Sequence, residues 1–203
     1  MSFYLKSKRL IDVVVAVCGL VLLSPILVAV ALAVRFSSHG PVLFRQERLG
    51  QFGRTFIMYK FRTMRHRAGP VEHGSQVTAA GDKRITPVGR FLRRYKLDEL
   101  PQLMNVLKGD MSLVGPRPEV DRYARCYPAE YARILAVRPG ITDIATIAFR
   151  DEERILARSA EPEQAYISEV LPAKIRLYFK YLEEQSLKTD LSILLRTIWT
   201  LPQ

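Results

Sequence analysis

Residues 13–34 read VVVAVCGLVLLSPILVAVALAV and contain no charged side chain. At about 1.5 Å per residue, a helix of about 22 residues is long enough to cross a hydrocarbon core of about 30 Å. Ser24-Pro25 lies near the middle of the run, where a proline removes a backbone donor and bends a helix. This stretch predicts a membrane anchor, and its shape decides how the rest of the chain meets the membrane.

Basic residues flank this run on both sides: Lys6, Lys8 and Arg9 precede it, and Arg35, Arg45 and Arg48 follow it. Because Lys and Arg bias a flank towards the cytoplasm, two basic flanks favour a re-entrant hairpin that enters and leaves one face. Each arm would have about 11 residues and a length of roughly 16 Å, half a bilayer. A single spanning helix is the alternative, and the residues alone leave both open.

Arg9 and Asp12 stand at the entrance of the run. Their spacing predicts that they meet as neighbours one helical turn apart. A cleavable signal peptide is disfavoured, because the apolar run is too long and no convincing small-residue cleavage site follows it. Arg9, Asp12, Ser24 and Pro25 are therefore the predicted determinants of the hairpin.

Composition restricts the partners and the compartment. The chain has 203 residues and a formal net charge of +11, so nucleic acid, anionic lipid head groups and phosphorylated substrates are all candidate partners. Cys18 and Cys126 are the only cysteines. Two lone cysteines make no disulfide framework and suit a reducing cytosol.

The pattern predicts an α-rich α/β fold in three regions. Residues 1–36 form the re-entrant membrane hairpin, residues 37–150 form a small mixed core with most of the Gly, Pro and Arg clusters, and residues 151–203 form amphipathic helices. Aromatic residues such as Tyr178, Tyr181 and Trp199 suit a helix at the membrane interface. Burial of these aromatic side chains against the core is an equally good interpretation.

Within the core, residues 42–48 and 55–61 predict two short strands joined by the turn Gly50-Gln51-Phe52-Gly53. The polar stretch from Arg67 to Gly81 predicts a loop. Two helices are expected after it, over residues 89–95 and 99–108, and Gly109 stops the second.

Adjacent carboxylates open the second of these helices, in the sequence Leu97-Asp98-Glu99-Leu100-Pro101. Asp98 is a good helix N-cap, and a carboxylate or a phosphate there would lie beside unpaired amide donors. Plain capping explains most isolated Asp-Glu pairs. Here, however, basic residues surround the pair: Arg93, Arg94 and Lys96 precede it, and Arg117 follows within Gly115-Pro116-Arg117-Pro118. The flanking prolines would present the Arg117 guanidinium stiffly to phosphate oxygens, although a rigid turn is the simpler interpretation of that motif alone.

Taken together, these segments are similar to the bacterial sugar transferase family, the small monotopic phosphoglycosyl transferases. The resemblance is densest in LDELPQLMNVLKGDMSLVGPRPE, residues 97–119. It includes KRLID at 8–12, Ser24-Pro25, YKFRTM at 59–64, GDKRITPVG at 81–89 and RPGIT at 138–142. About two thirds of the chain takes part in it.

The resemblance implies a re-entrant helix broken at Ser24-Pro25 and an active site on the cytoplasmic face of the bacterial inner membrane. It implies that Asp98 attacks the sugar-proximal phosphorus of a UDP-sugar, which releases UMP and leaves a phosphosugar on the enzyme. Polyprenol (undecaprenyl) phosphate then accepts the phosphosugar. Mg²⁺ is the expected cofactor and lies next to Asp98, Arg93 is expected to hold phosphate, and Glu99 assists as acid, base or metal support. Lys60 and Arg117 are further expected phosphate contacts.

One departure from the family pattern follows RPGIT. Many members continue with glycine, whereas this chain has Asp143, followed by an acidic stretch that ends at Asp151-Glu152-Glu153. Aspartate adopts positive φ less readily than glycine, so a different loop geometry is expected. The acidic stretch begins the next helix or recognises the sugar, and the helix is favoured.

Two competing functions follow from charge and anchor alone. The first is a membrane-anchored basic binding protein, and the second is a scaffold that recruits other enzymes. No helix-turn-helix, zinc spacing or aromatic RNA-binding motif supports nucleic acid as a partner. The partners that the resemblance implies are a UDP-sugar, polyprenol phosphate and inner-membrane lipid. The sequence leaves open the sugar, the glycan pathway and whether the chain forms a homodimer.

Overall fold

The computed structural model of the protein describes residues 2–65, residue 78 and residues 81–200. Eleven α-helices lie in these ranges: α1 Ser2–Leu22, α2 Ser24–Ser37, α3 Pro87–Arg94, α4 Gln102–Lys108, α5 Asp121–Ala124, α6 Pro128–Ile134, α7 Ile144–Ala148, α8 Glu152–Leu156, α9 Pro162–Ala165, α10 Leu171–Glu184 and α11 Leu187–Trp199. The four strands there are β1 Leu43–Leu49, β2 Thr55–Phe61, β3 Ser112–Val114 and β4 Gly140–Thr142. The expected α-rich α/β class is confirmed. The predicted loop from Arg67 to Gly81 lies almost wholly outside the described residues.

A sharp bend separates α1 from α2, with an angle of 64° between them. Pro25 has no N–H to donate to the carbonyl of Val21, four residues earlier. The hydroxyl of Ser24 donates to that carbonyl instead, at 2.8 Å, so the Val21 carbonyl keeps a hydrogen-bond partner. Among the described helices, none alone is long and apolar enough to cross a membrane, but this bent pair together has the composition of a broken span or a re-entrant loop.

Arg9 and Asp12 fasten α1 to the core rather than to each other, so the predicted contact between them is wrong. The Arg9 guanidinium donates to the carbonyls of Val106 and Leu107, at 2.6 and 3.0 Å, near the C-terminus of α4. The Asp12 carboxylate accepts from the Ser112 hydroxyl at 2.8 Å and from the Leu113 amide at 3.0 Å. Unpaired backbone groups at a helix end and a strand edge attract these charges more strongly than a neighbour on the same helix.

Replacing Asp12 by Asn is expected to loosen α1 from β3. The amide oxygen can still accept from the Leu113 amide, and the NH₂ group can donate to the Ser112 hydroxyl, but both buried hydrogen bonds lose the negative charge that strengthened them. The expected cost is about 1–3 kcal/mol, seen as earlier thermal unfolding in detergent. Exposed Glu47, on β1, replaced by Gln provides the control. Equal unfolding temperatures for Asp12→Asn and wild type would contradict this account of the joint.

The two predicted strands form an antiparallel hairpin in which Leu43 pairs with Phe61 and Leu49 with Thr55. A second, parallel pair joins β3 to β4. The first predicted helix is α3. The second begins at Gln102 instead of residue 99, because Pro101 cannot donate the backbone bond that would extend an α-helix over the preceding turn.

Three clusters of buried apolar side chains hold the elements together. One joins α1, β2, α4 and β3 to the C-terminal helices, the second joins the end of β1, α5, α6 and α7 to the helices that follow them, and the third packs α2 against β2 and α3. The clusters therefore extend across the predicted domain limits at residues 36 and 150, which stay predictions. Tyr178 and Tyr181 are buried in these clusters, whereas Trp199 is exposed. Of the three aromatic residues expected at an interface, only Trp199 is free to lie there.

Candidate active site

The paired carboxylates lie in a short 3-10 turn, Leu97–Glu99, between α3 and α4. Lys96, directly before it, adopts a left-handed backbone with a φ of 56°, which costs a non-glycine residue free energy and is common at functional sites. The predicted role of Asp98 as a helix N-cap is wrong, since the residue before α4 is Pro101 and no side chain caps that helix. Asp98 and Glu99 are instead held inside the tight turn, and both are buried.

Glu99 binds two cations that come from distant parts of the chain. Its Oε1 accepts from Lys60 Nζ at 3.0 Å and from Arg117 Nη2 at 2.5 Å, and its Oε2 accepts from Arg117 Nη1 at 3.3 Å. Lys60 lies on β2, and Arg117 lies in the loop after β3. Lys60 and Arg117, the expected phosphate-binding residues, therefore both bind the Glu99 carboxylate, which lies between them.

The backbone segments around Gly115 and Gly140 lie against each other, and this contact fixes the position of Arg117 beside Glu99. The Gly115 amide donates to the Thr142 carbonyl at 3.1 Å, and the Gly140 amide donates to the Pro116 carbonyl at 3.0 Å. A Cβ atom on Gly115 would lie 2.6 Å from the Arg138 carbonyl oxygen. Only glycine fits there, so the GPRP and RPGIT motifs are one structural unit that presents the guanidinium.

The two neighbouring carboxyl groups have opposite electrostatic surroundings. Burial and the negative charge of Glu99 raise the pKa of Asp98, and Lys60, Lys96 and Arg93 only partly oppose this. Burial would also raise the pKa of Glu99, but the positive charges of Arg117 and Lys60 outweigh it and hold that pKa well below its ordinary value. Glu99 therefore stays ionised near neutral pH, which makes it a poor proton donor.

Arg93 also lies close to Asp98, but its guanidinium is bonded to Glu153 on α8. It makes a longer contact, 3.4 Å, with the hydroxyl of Thr63. Glu153 belongs to the acidic stretch that departs from the family pattern. The favoured interpretation, a helix start, is confirmed because α8 begins at Glu152. The sequence did not indicate that Glu153 would also reach the candidate phosphate arginine.

Asp143 adopts a backbone conformation that is ordinary for a residue with a side chain, and the expected difference from the family's loop geometry stays a prediction. Its backbone is extended, with a φ of −159°, so this position needs no positive φ. Its carboxylate accepts from the Thr146 amide at 2.6 Å and caps α7. Burial raises the pKa of Asp143, and Thr146, Arg117 and Lys174 only partly oppose this.

The carboxylates of the site determine how the expected Mg²⁺ would be held. The described ranges contain no group of three or more His, Cys, Asp or Glu side chains that would enclose a metal ion. Mg²⁺ in phosphoryl transfer is usually held by one or two carboxylates together with substrate phosphates. The Oδ1 atom of Asp98 is buried and has no hydrogen-bond partner in the part of the chain that the structure describes. This free carboxylate oxygen is a suitable ligand for such an ion.

Comparison with known proteins gives a consistent result. The family model described as bacterial sugar transferase matches residues 3–203. The chain is 43% identical, over 94% of its length, to UDP-glucose:undecaprenyl-phosphate glucose-1-phosphate transferase of Caulobacter vibrioides, and spans 68% of that protein. It is 39% identical, over 98% of its length, to UDP-N-acetylgalactosamine-undecaprenyl-phosphate N-acetylgalactosaminephosphotransferase of Aeromonas hydrophila, and spans 44% of it. The chain spans 39% of a similar glucose-1-phosphate transferase of Escherichia coli, at 39% identity.

Proposed function

Because the chain belongs to the bacterial sugar transferase family, we propose that it transfers a sugar-1-phosphate from a UDP-sugar to polyprenyl phosphate, with undecaprenyl phosphate as the acceptor. The relatives with this activity in their names supply the reaction class. The observation that carries the assignment to this site is Asp98: a buried carboxylate with one oxygen that has no partner among the described residues, next to cations that suit a diphosphate.

In the proposed first step, a carboxylate oxygen of Asp98 attacks the sugar-proximal phosphorus of the donor. The bond from that phosphorus to the bridging oxygen breaks, and UMP leaves with the bridging oxygen. A phosphosugar then stays on Asp98 as an acyl phosphate. In the second step an oxygen of polyprenyl phosphate attacks the same phosphorus, which releases the Asp98 carboxylate and forms a polyprenyl diphosphate sugar. A carboxylate is an established covalent nucleophile in phosphoryl transfer.

The charges of the diphosphate must be neutralised before a carboxylate can approach it. Arg93, Arg117 and Lys60 are the proposed phosphate ligands, and arginine forks match phosphate oxygens in pairs. Bound Mg²⁺ would supply further neutralisation of the diphosphate beside Asp98. Glu99 fits a positioning role better than a proton-transfer role, because it already holds Lys60 and Arg117 through charged hydrogen bonds.

The Glu153 carboxylate binds the Arg93 guanidinium. A donor phosphate would have to displace that carboxylate in order to bind Arg93. Glu153→Gln is therefore expected to lower the KM for the UDP-sugar by about 3-fold or more, because the competing negative charge is lost. Arg93→Ala is expected to raise KM at least about 10-fold, since a charge-assisted hydrogen bond contributes about 1.5–3 kcal/mol. Initial rates over a range of donor concentrations measure both. A higher KM for Glu153→Gln would mean that Glu153 binds the substrate instead of competing with it.

The proposed attachment to the membrane rests on apolar side chains that are exposed at the protein surface. Many apolar side chains of α1 and α2 are exposed, and the exposed apolar residues of α11 are Leu187, Leu191, Leu195, Ile198 and Trp199. On α11 they recur every three or four residues and so form one stripe. We propose that the bent pair enters the inner membrane as a re-entrant hairpin, that the α11 stripe lies at the interface, and that the site faces the cytoplasm.

Cysteine labelling tests the hairpin against a spanning helix. In a background with Cys18 and Cys126 replaced, Ser7→Cys and His39→Cys place one thiol on each side of the bend. Both thiols are expected to react from the cytoplasmic face with a membrane-impermeant maleimide. Reaction of one thiol from the cytoplasmic face and of the other from the periplasmic face would establish a spanning helix.

The reaction itself is tested by UMP release from UDP-glucose, UDP-galactose and UDP-N-acetylgalactosamine, with Mg²⁺, with and without undecaprenyl phosphate. One donor is expected to give sustained turnover only when the lipid is present, and a single burst of UMP without it. The relatives' names differ in the sugar, so the preferred donor is a result of this assay. Turnover that needs no lipid, or UMP release unaffected by loss of Asp98, would refute the proposed function.

A further inference from the structure

Gln102, the first residue of α4, has an unusual environment. Its side chain is 0% exposed, yet neither its Nε2 nor its Oε1 has a hydrogen-bond partner within residues 2–65, 78 and 81–200. A buried amide without partners destabilises a folded protein, because it has lost its hydrogen bonds to water and gained none. Such a group in a native structure calls for an explanation, and an absent ligand is one.

Asn105, one turn further along α4, shows what a structural amide looks like in the same helix. It is also 0% exposed. Its Oδ1 accepts from the Tyr59 amide at 3.1 Å, and its Nδ2 donates to the Ile57 carbonyl at 2.7 Å and to Asp110 at 3.2 Å. Asn105 therefore ties α4 to β2. The lack of partners is specific to Gln102 and is not a general property of buried amides on this helix.

Gln102 is also close in sequence to the carboxylate that lacks a partner. Asp98 and Gln102 are four residues apart in a continuous segment of helical turns, a spacing that brings side chains to the same face. Side chains on a helix lean towards its N-terminus, so the long Gln102 side chain leans towards the turn that carries Asp98. By this spacing, two buried polar side chains that carry atoms unpartnered in the described part of the chain fall on one face of the segment.

We propose that Gln102 binds the phosphosugar part of the donor while Asp98 attacks it, an inference that rests on the proposed function. Nε2 donates to a non-bridging oxygen of the phosphoryl group, which offers only acceptors. Oε1 accepts from a hydroxyl or acetamido N–H of the sugar. A carboxamide has both a hydrogen-bond donor and an acceptor, so it can bind a phosphoryl oxygen and a hydroxyl or acetamido N–H of the sugar at the same time. Donor binding satisfies the amide that the free protein leaves unpaired.

Gln102→Met tests this inference, because methionine has a similar length and flexibility but no strong hydrogen-bonding groups. The free variant is expected to unfold at the wild-type temperature or above it, since an unpaired buried amide is removed. Its UMP burst without lipid is expected to slow at least about 10-fold, as two contacts to the reacting group are lost. Asn105→Leu is the matched control and is expected to unfold at a lower temperature, because it loses three satisfied hydrogen bonds.

A Gln102→Met variant that unfolds earlier than wild type would overturn the inference whatever its rate, since the amide would then have partners in the free protein. An unchanged burst rate would overturn it as well. Thermal stabilisation by a UDP-sugar, measured in an Asp98→Asn background, separates this inference from the proposed reaction. If wild type releases no UMP with any donor, the reaction fails, and Gln102 is judged by this stabilisation alone, which is expected to be smaller in Gln102→Met.

Discussion

Replacing Asp98 by Asn is expected to abolish both the UMP burst and lipid-dependent turnover, with a loss of at least about 10⁴-fold, as when a covalent nucleophile is removed. The amide cannot form an acyl phosphate. The fold is expected to tolerate the change, because Asn replaces a buried carboxyl group whose ionised form is disfavoured by burial and by Glu99. Thermal unfolding at or above the wild-type temperature is therefore the expected companion result.

The pH dependence of the burst identifies the same residue. Only the ionised carboxylate attacks phosphorus, and burial together with Glu99 raises the pKa of Asp98 above its ordinary value of about 3.9. The protonated, inactive form therefore persists to higher pH than for an ordinary aspartate. With donor far below saturation, so that the rate reports the free enzyme, the burst rate is expected to fall as the pH drops and to reach half its maximum above that ordinary value.

Two controls make the Asp98 result decisive. Asp98→Ala excludes slow deamidation of Asn back to Asp as a source of residual activity. Mass spectrometry of wild-type protein after donor alone is expected to show one added phosphosugar, on the peptide that contains Asp98. An adduct on another residue, or a burst that survives in both variants, would mean that a different group attacks the donor.

Glu99→Gln is expected to give the largest loss of stability among single changes at the site. Lys60 and Arg117 would then be two partly buried cations that have lost the carboxylate hydrogen-bonded to both. Removing one partner of a buried ion pair costs about 3–5 kcal/mol, and some solvent access, 18% for Lys60 and 27% for Arg117, favours the lower end. For a protein of this size, about 3 kcal/mol lowers the unfolding temperature by about 6–12 °C.

The same variant tests where the diphosphate binds. If Lys60 and Arg117 hold donor phosphates, UDP is expected to stabilise Glu99→Gln more than wild type, because it restores the missing negative charge. Asp121→Asn is the matched control, since it breaks an exposed ion pair with Arg125 and is expected to change stability by about 0.5 kcal/mol or less. Equal unfolding of Glu99→Gln and wild type, or an equal UDP effect, would argue against this arrangement of charges.

Local signals in the sequence were sufficient for several elements. The β1–β2 hairpin and the break at Ser24-Pro25 depend on turn residues and on a missing amide donor, which act over a few neighbours. The grouping of Lys60, Asp98, Glu99 and Arg117 was also predicted, from the resemblance and from charges that a diphosphate would need. The bend itself does not distinguish a broken span from a re-entrant loop.

Only the tertiary structure decided which groups the charged side chains bind. Arg9 and Asp12 lie one turn apart, yet they bind groups on α4 and β3, about a hundred residues away in sequence. Asp190 likewise accepts from Tyr4 and Lys8 on α1 and from Tyr181 on α10. Such contacts depend on how whole elements pack, and helical spacing gives no information about a distant partner.

The sequence by itself therefore determined the β1–β2 hairpin, the break between the two apolar helices and the chemical groups of the candidate site, because composition, periodicity and turn chemistry are local properties of a chain. Only the tertiary structure decided that Glu99 is held by two cations while Asp98 keeps a free oxygen, and that Glu153 reaches Arg93. The physical reason is that burial and charge neutralisation depend on distances between segments remote in sequence, which packing alone establishes.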